Sequence, residues 1–155
     1  MAQTLEQRVL LLEEINAIDR LKQEYARTLD RYDTGEAFAA LFTPDGVLDI
    51  GPMGRYEGRD AIAGFFNGVR DTLSFFLHYT MAHAVDVDLE ANTARGTWYM
   101  WEPATRNDEA YLVAITYDDE FRKVGGRWLF TLSRSTYHFM CPYDKGWVEQ
   151  RLPPD

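Results

Sequence analysis

The apolar pattern of this chain changes period once, and that change limits the folds open to it. Up to Asp71 apolar residues recur mainly at helical spacing, whereas from Ser74 to Met140 they follow β-type runs. Ile15, Ile18, Leu21, Tyr25, Leu29 and Tyr32 recur every three or four residues, which predicts an amphipathic helix from about Thr4 to Tyr32. In "DTGEAFAALF" Asp33 is placed to cap a second, short helix, with Glu36 three residues on completing a capping-box pattern, and "TPDG" ends it. "VLDI" reads as a short strand, "GPMG" as a turn and "GRDAIAGFFNGVRD" as a third helix. The later runs, "SFFLHYTMAHAVDVD", "TARGTWYMWEP", "EAYLVAITYDDEFRK" and "RWLFTLSRSTYHFM", are rich in Thr, Tyr, Trp, Phe and Val, with "LEAN" and "VGG" as hairpin-type turns.

Helices first and an antiparallel sheet after is the order of an α+β domain whose helices lie on one face of the sheet. A strongly twisted four-stranded sheet curls, and helices packed into its concave side leave a pocket at the open end. With 155 residues the chain suits one core, so a single domain over 1–155 is expected, its core at about 13–139 and a C-terminal tail over 140–155. No internal repeat or low-complexity segment is present.

Four Trp, nine Tyr and nine Phe imply a core or cavity lined with rings. A net charge of −9 and a pI near 4.8 repel nucleic acid and anionic membrane surfaces, which leaves a neutral or hydrophobic small molecule as the expected partner. The one cysteine, Cys141, cannot form an intramolecular disulfide, and no zinc-type spacing, phosphate loop or nucleophile elbow occurs. No apolar run is long enough to span a membrane, and the opening segment carries charges where a signal peptide would not. A soluble cytoplasmic protein is the expectation.

Within this frame a few residues carry chemistry. His78, in "LHYTMAH", shares a strand face with Thr80 and Ala82 if the run is one strand, and His83 then points the other way. A lone imidazole on an apolar strand is also a common core residue, so partners decide its meaning. Tyr25 and Asp30 lie five residues apart on the first helix, about 140° around its axis, and could border one cavity from two sides. If Asp30 meets His78, the carboxylate holds the imidazole in one tautomer with its other nitrogen free as a base, and Tyr25 can donate to a carbonyl oxygen. Glu102, before Pro103, is either an acid at the pocket rim or an exposed strand-end carboxylate. Arg134 either contacts substrate or pairs with an acidic neighbour. Phe75, Phe76, Trp98, Tyr99 and Trp101 are core rings or ligand contacts.

"INAIDRLKQEYARTLDRYD", "LFTPDGVLDI" with "YEGRDAI", then "LHYTMAH", "NTARGTWYM" and "ITYDDEFRKVGGRWLF" resemble, in order, the successive blocks of the SnoaL-like branch of the nuclear transport factor 2-like superfamily. Within that branch the blocks are most similar to the bile acid 7α-dehydratases, and more distantly to scytalone dehydratases and hexachlorocyclohexane dehydrochlorinases. The resemblance implies a cone-shaped, curved antiparallel sheet wrapped around N-terminal helices, an apolar cavity, and a homodimer or homotrimer. It carries the tyrosine, aspartate and histidine of the bile-acid enzymes onto Tyr25, Asp30 and His78, and a further aspartate onto Glu102, which is still acidic. A pocket tyrosine of those enzymes falls on Ile50, and an arginine falls on Tyr137 with Arg134 close by, so recognition of an anionic tail is not carried over with them.

The expectation is a dehydratase that needs no metal or other cofactor and acts on a hydrophobic polycyclic or steroid-like hydroxy-ketone. His78 takes the proton, Asp30 orients it, Tyr25 polarises oxygen and Glu102 assists the leaving group, with Ile50, Phe76, Trp98, Arg134 and Tyr137 as substrate contacts. A ketosteroid-type isomerase and a non-catalytic ligand-binding or partner subunit remain open.

Overall fold

The computed structural model describes residues 4–69 and 71–152. Residues 1–3, Arg70 near the end of the expected third helix, and 153–155 at the end of the expected tail lie outside the described residues. Helix α1 (Leu5–Asp30) opens on a closed capping box: the Gln7 backbone N–H donates to the Thr4 hydroxyl at 3.2 Å, and the Thr4 N–H donates to the Gln7 side chain at 2.9 Å. Its buried face takes Ile18, Tyr25 and Leu29 from the expected stripe and adds Lys22 and Ala26, whereas Ile15 and Leu21 are only half-buried and Tyr32 lies beyond the helix end.

Helix α2 (Gly35–Ala39) is capped by Thr34 and not by Asp33; the Thr34 hydroxyl accepts the Ala37 N–H at 3.2 Å. Tyr32, at φ 55°, turns the chain through left-handed space after α1 and delays the new helix by one residue. Strand β1 (Phe42–Asp49) includes "TPDG", which therefore ends no helix. It forms an irregularity between Phe42 and Val47, where Pro44 owes no ladder hydrogen bond. A 3₁₀ turn (Gly51–Met53) leads to β2 (Arg55–Glu57), a hairpin partner of β1 too short for periodicity to reveal, and then to α3 (Arg59–Val69).

The run "SFFLHYTMAHAVDVD" is two strands, β3 (Leu73–Phe76) and β4 (Tyr79–Asp88), with His78 in the link between them. Both pair with one edge of β5 (Thr93–Arg106), followed by β6 (Glu109–Val124), β7 (Arg127–Pro142) and a short helix α4 (Gly146–Glu149). Among the described residues the sheet has seven strands in the order β2-β1-β7-β6-β5-β3, with β4 also on β5, and not four. All its pairings are antiparallel except β1 with β7.

Register shifts between Ala114 and Ile115 and between Glu120 and Phe121 bend the long β6–β7 ribbon, and the sheet curls around the helices. In β5 the alternation is clean: Ala94, Trp98, Met100, Glu102 and Ala104 face inward between exposed Arg95, Thr97, Tyr99 and Trp101. The core is built on rings; Tyr25 packs against Phe38, Tyr117 and Phe130 at centroid distances of 4.9 to 5.8 Å. Strand β7 runs through buried Met140 and Cys141, so the tail begins later than expected, at Tyr143. Among the described residues no helix is long and apolar enough to cross a membrane.

Candidate active site

The C-terminal end of α1 meets the link between β3 and β4. Asp30 is the last residue of that helix, at the negative end of its dipole, where a carboxylate needs donors to be held. His78 supplies two. Its backbone N–H donates to Asp30 Oδ1 at 3.0 Å, and its ring Nδ1 lies 2.7 Å from the same oxygen. A carboxylate against Nδ1 places the ring proton there and leaves Nε2 as the acceptor of the neutral imidazole.

That nitrogen faces a second carboxylate. Glu102 Oε2 stands 3.4 Å from His78 Nε2. Glu102 is not the strand-end residue the sequence implied, because β5 continues through Pro103 to Arg106 and the side chain is only 8% exposed. Burial raises its pKa, the His78 charge lowers it, and the Asp30 carboxylate raises it further, for a net upward shift. Glu102 is thereby inclined to keep its proton.

His78 and Glu102 line a cavity of about 80 Å³ together with Tyr25, Tyr117, Ser135 and Tyr137. The remainder of the wall is apolar and includes Ile50, Phe76, Met100 and Ile115. Tyr25 keeps its phenol proton well above ordinary pH, first through burial and next through the Asp119 carboxylate. Tyr117 is raised by burial and by Tyr25, and Tyr137 by burial and by Glu102. Three neutral phenols therefore face a polar spot in an otherwise greasy wall.

Beneath them Lys22 Nζ bonds Asp119 Oδ2 at 2.8 Å, out of contact with solvent, and lies 3.2 Å from the Tyr117 ring centre and 4.4 Å from that of Tyr25. Burial lowers the Lys22 pKa and raises that of Asp119.

The structure thus brings together Tyr25, His78, Glu102, Ile50, Phe76 and Tyr137 around one space. Asp30 does not line it, and reaches it only through His78. Trp98 does not line it either. Its ring folds back over Gly96, where a Cβ would come within 2.3 Å of it, and packs on Phe121 and near Lys22. Arg134 is half exposed, with Nε 3.3 Å from Asp49 Oδ2, which fits the ion-pairing alternative and not substrate contact. Phe75, Tyr99 and Trp101 face outward.

Tyr117 and Ser135 were missed. Tyr117 follows Val113 and Ile115 at a period of two, so the inward face of β6 was readable once Val113 was placed inside. Among the described residues no group of three or more His, Cys, Asp or Glu side chains is arranged to hold a metal ion.

A family model described as the SnoaL-like domain matches residues 11–134. A solved structure from Novosphingobium aromaticivorans, provisionally described as a scytalone dehydratase, superposes with a TM-score of 0.77 at 25% identity, over 85% of this chain and 89% of that one. A second protein of that organism, provisionally described as an aromatic ring hydroxylase, gives 0.76 at 27% identity over 84% and 94%. Hexachlorocyclohexane dehydrochlorinase LinA-type3 from Novosphingobium barchaimii gives 0.78 at 18% identity over 92% and 97%, a likeness of fold alone. None of the curated proteins is significantly similar in sequence. The common architecture is the curled sheet over N-terminal helices of the nuclear transport factor 2-like, or cystatin-like, fold.

Proposed function

We propose that this chain, which belongs to the SnoaL-like domain family, is a cofactor-independent lyase that removes water from a hydrophobic, polycyclic or steroid-like hydroxy-ketone. The observation that carries the reading is His78, held between Asp30 and Glu102 in the wall of an apolar cavity. The scytalone dehydratase description of one structural neighbour points to the same class of reaction.

The geometry supports a closed cycle of proton movements. His78 Nε2 takes the proton from the carbon next to the ketone while Asp30 steadies the imidazolium that forms. The electron pair moves toward the carbonyl oxygen, where the Tyr25 phenol donates a hydrogen bond. As the carbon–oxygen bond to the hydroxyl breaks, the two carbons become doubly bonded. Glu102 gives its proton to the departing oxygen, which leaves as water. The proton on Nε2 then returns to Glu102 across the 3.4 Å that separates them, and both groups are reset.

The non-catalytic alternative predicts Asp30 and His78 beyond reach of a bridging water, and they are in direct contact at 2.7 Å. Isomerisation in the same cavity is the second reading, because a protonated acid beside the base also suits a proton shift without loss of water. Incubation with a panel of steroid and aromatic-polyketide hydroxy-ketones, followed by mass spectrometry, separates the cases. A product lighter by one water supports the lyase, whereas a product of unchanged mass with a moved double bond replaces it by an isomerase. Tight binding across the panel with no new product removes catalysis altogether.

A further inference from the structure

The inner cavity does not end at its mouth. Met53, Phe65, Val69, Leu73 and Met140 line both it and an outer groove of about 330 Å³. Gly64 and Gly68, one turn apart on α3, form part of the groove wall, and a Cβ at either would meet nothing within 4 Å. The wall is held open by absent side chains.

At the groove edge stands Arg106, partly buried at the end of β5 and paired in register with Leu73. Glu109 is its register partner across the β5–β6 turn, yet among the described residues the Arg106 side chain has no ion pair or hydrogen bond. A guanidinium left without a partner beside apolar surface is a ready receiver for an anion. The inner cavity is the opposite: its ionisable groups are His78, Glu102 and three phenols, so an anionic group there would meet no arginine or lysine. Glu102 and Arg106 lie four residues apart on β5, so along the strand the two ends of the combined space are about 13 Å apart.

We infer that the groove is an outer subsite for the far end of an elongated apolar substrate, whose terminal carboxylate pairs with Arg106 while the reacting end lies at His78. What fills the inner cavity rests on the lyase reading. The groove and its charge preference do not, so they are tested by binding alone.

The probes are 1-pyrenebutanoate and its neutral counterpart 1-pyrenebutanol, titrated by fluorescence polarisation against the full chain at low salt. The acid should bind the native protein about tenfold more tightly than the alcohol, the order expected of a charge-assisted hydrogen bond. Arg106→Gln should remove that preference by weakening the acid alone. Gly68→Leu, which adds a strong helix former where there is open space, should weaken both probes about tenfold with the circular dichroism unchanged. An acid affinity that survives Arg106→Gln overturns the anionic end group. Indifference of both probes to Gly68→Leu, or no binding of either, overturns the subsite. Neither readout needs turnover, so a failed dehydration assay with these shifts intact would sink the chemistry and keep the groove.

Discussion

Asp30 Oδ1 accepts two hydrogen bonds from one residue, the backbone N–H of His78 at 3.0 Å and its ring Nδ1 at 2.7 Å. The first fixes where the β3–β4 link passes the end of α1, and the second fixes how the ring is turned. Because the backbone bond anchors the link independently of the ring, His78→Ala should leave the fold intact and lower turnover by about 10²–10⁴-fold, the usual contribution of a positioned base. Asp30→Asn should lower it by a similar order with KM little changed, since the carboxylate touches the imidazole and not the cavity. Steady-state kinetics on a converted substrate, with circular dichroism as the fold check, measures both. Full activity in either variant removes that residue from the mechanism.

Glu102 links stability and activity to pH with the same sign. Folding raises its carboxyl above the ordinary 4.5, chiefly by burial, so the folded protein keeps a proton there that the unfolded chain has released. The stability tied to that proton is whole below pH 4.5 and is lost as pH climbs through the raised value. Glu102→Gln, neutral at every pH, should therefore gain stability relative to the native protein as pH rises from 4 to 8, read from urea midpoints at both. The same variant should lose the acid's share of turnover, about 10²-fold or more, and with it the alkaline fall in rate that deprotonation of Glu102 causes. A native-like pH profile in Glu102→Gln would assign the leaving-group proton elsewhere.

The change of hydrophobic period was enough to expose the α+β layout and the helix that carries Tyr25, because long amphipathic elements repeat their signal many times. Local devices were harder to read. Asp33 and Thr34 are both good caps, and only the left-handed Tyr32 decides between them. His78 looked like a strand residue because its neighbours on both sides are strands. The break that lets it reach Asp30 depends on β3 and β4 pairing with different stretches of β5, a long-range fact. Trp98 fits the inward face, where period alone predicts a substrate contact. The space beside Gly96 drew its ring the other way, which period alone does not encode.

Arg134 and Tyr137 make a paired test of that distinction between facing and touching. Among the described residues Arg134 reaches only Asp49, at 3.3 Å on a half-exposed surface, so Arg134→Ala should shift stability by no more than about 0.5 kcal/mol and leave kinetics unchanged. Tyr137 lines the cavity near Glu102, so Tyr137→Phe should raise KM or lower kcat several-fold while the fold holds. The reverse ordering, with Arg134→Ala the more damaging to catalysis, would mean that substrate is recognised from the outer surface.

Lys22 and Asp119 form the polar floor under the phenols, and their contribution to stability depends on which partner is removed. Both are buried, 2.8 Å apart, with burial drawing the lysine pKa down and the aspartate pKa up. Lys22→Met leaves the Asp119 carboxylate buried without its cation, and Asp119→Leu leaves the ammonium over the Tyr117 and Tyr25 rings without its anion. Each single change should cost about 3–5 kcal/mol, because an uncompensated buried charge is far more expensive than a missing attraction. The double variant should recover most of that loss in urea unfolding, since two apolar side chains of similar volume restore a neutral core. Turnover separates the pair's roles. If the double variant is stable but slow, the ion pair positions the Tyr25 and Tyr117 phenols from below. If it is stable and fully active, ring packing such as that of Tyr25 on Phe38 and Phe130 holds the phenols without the pair, which then has no part in catalysis.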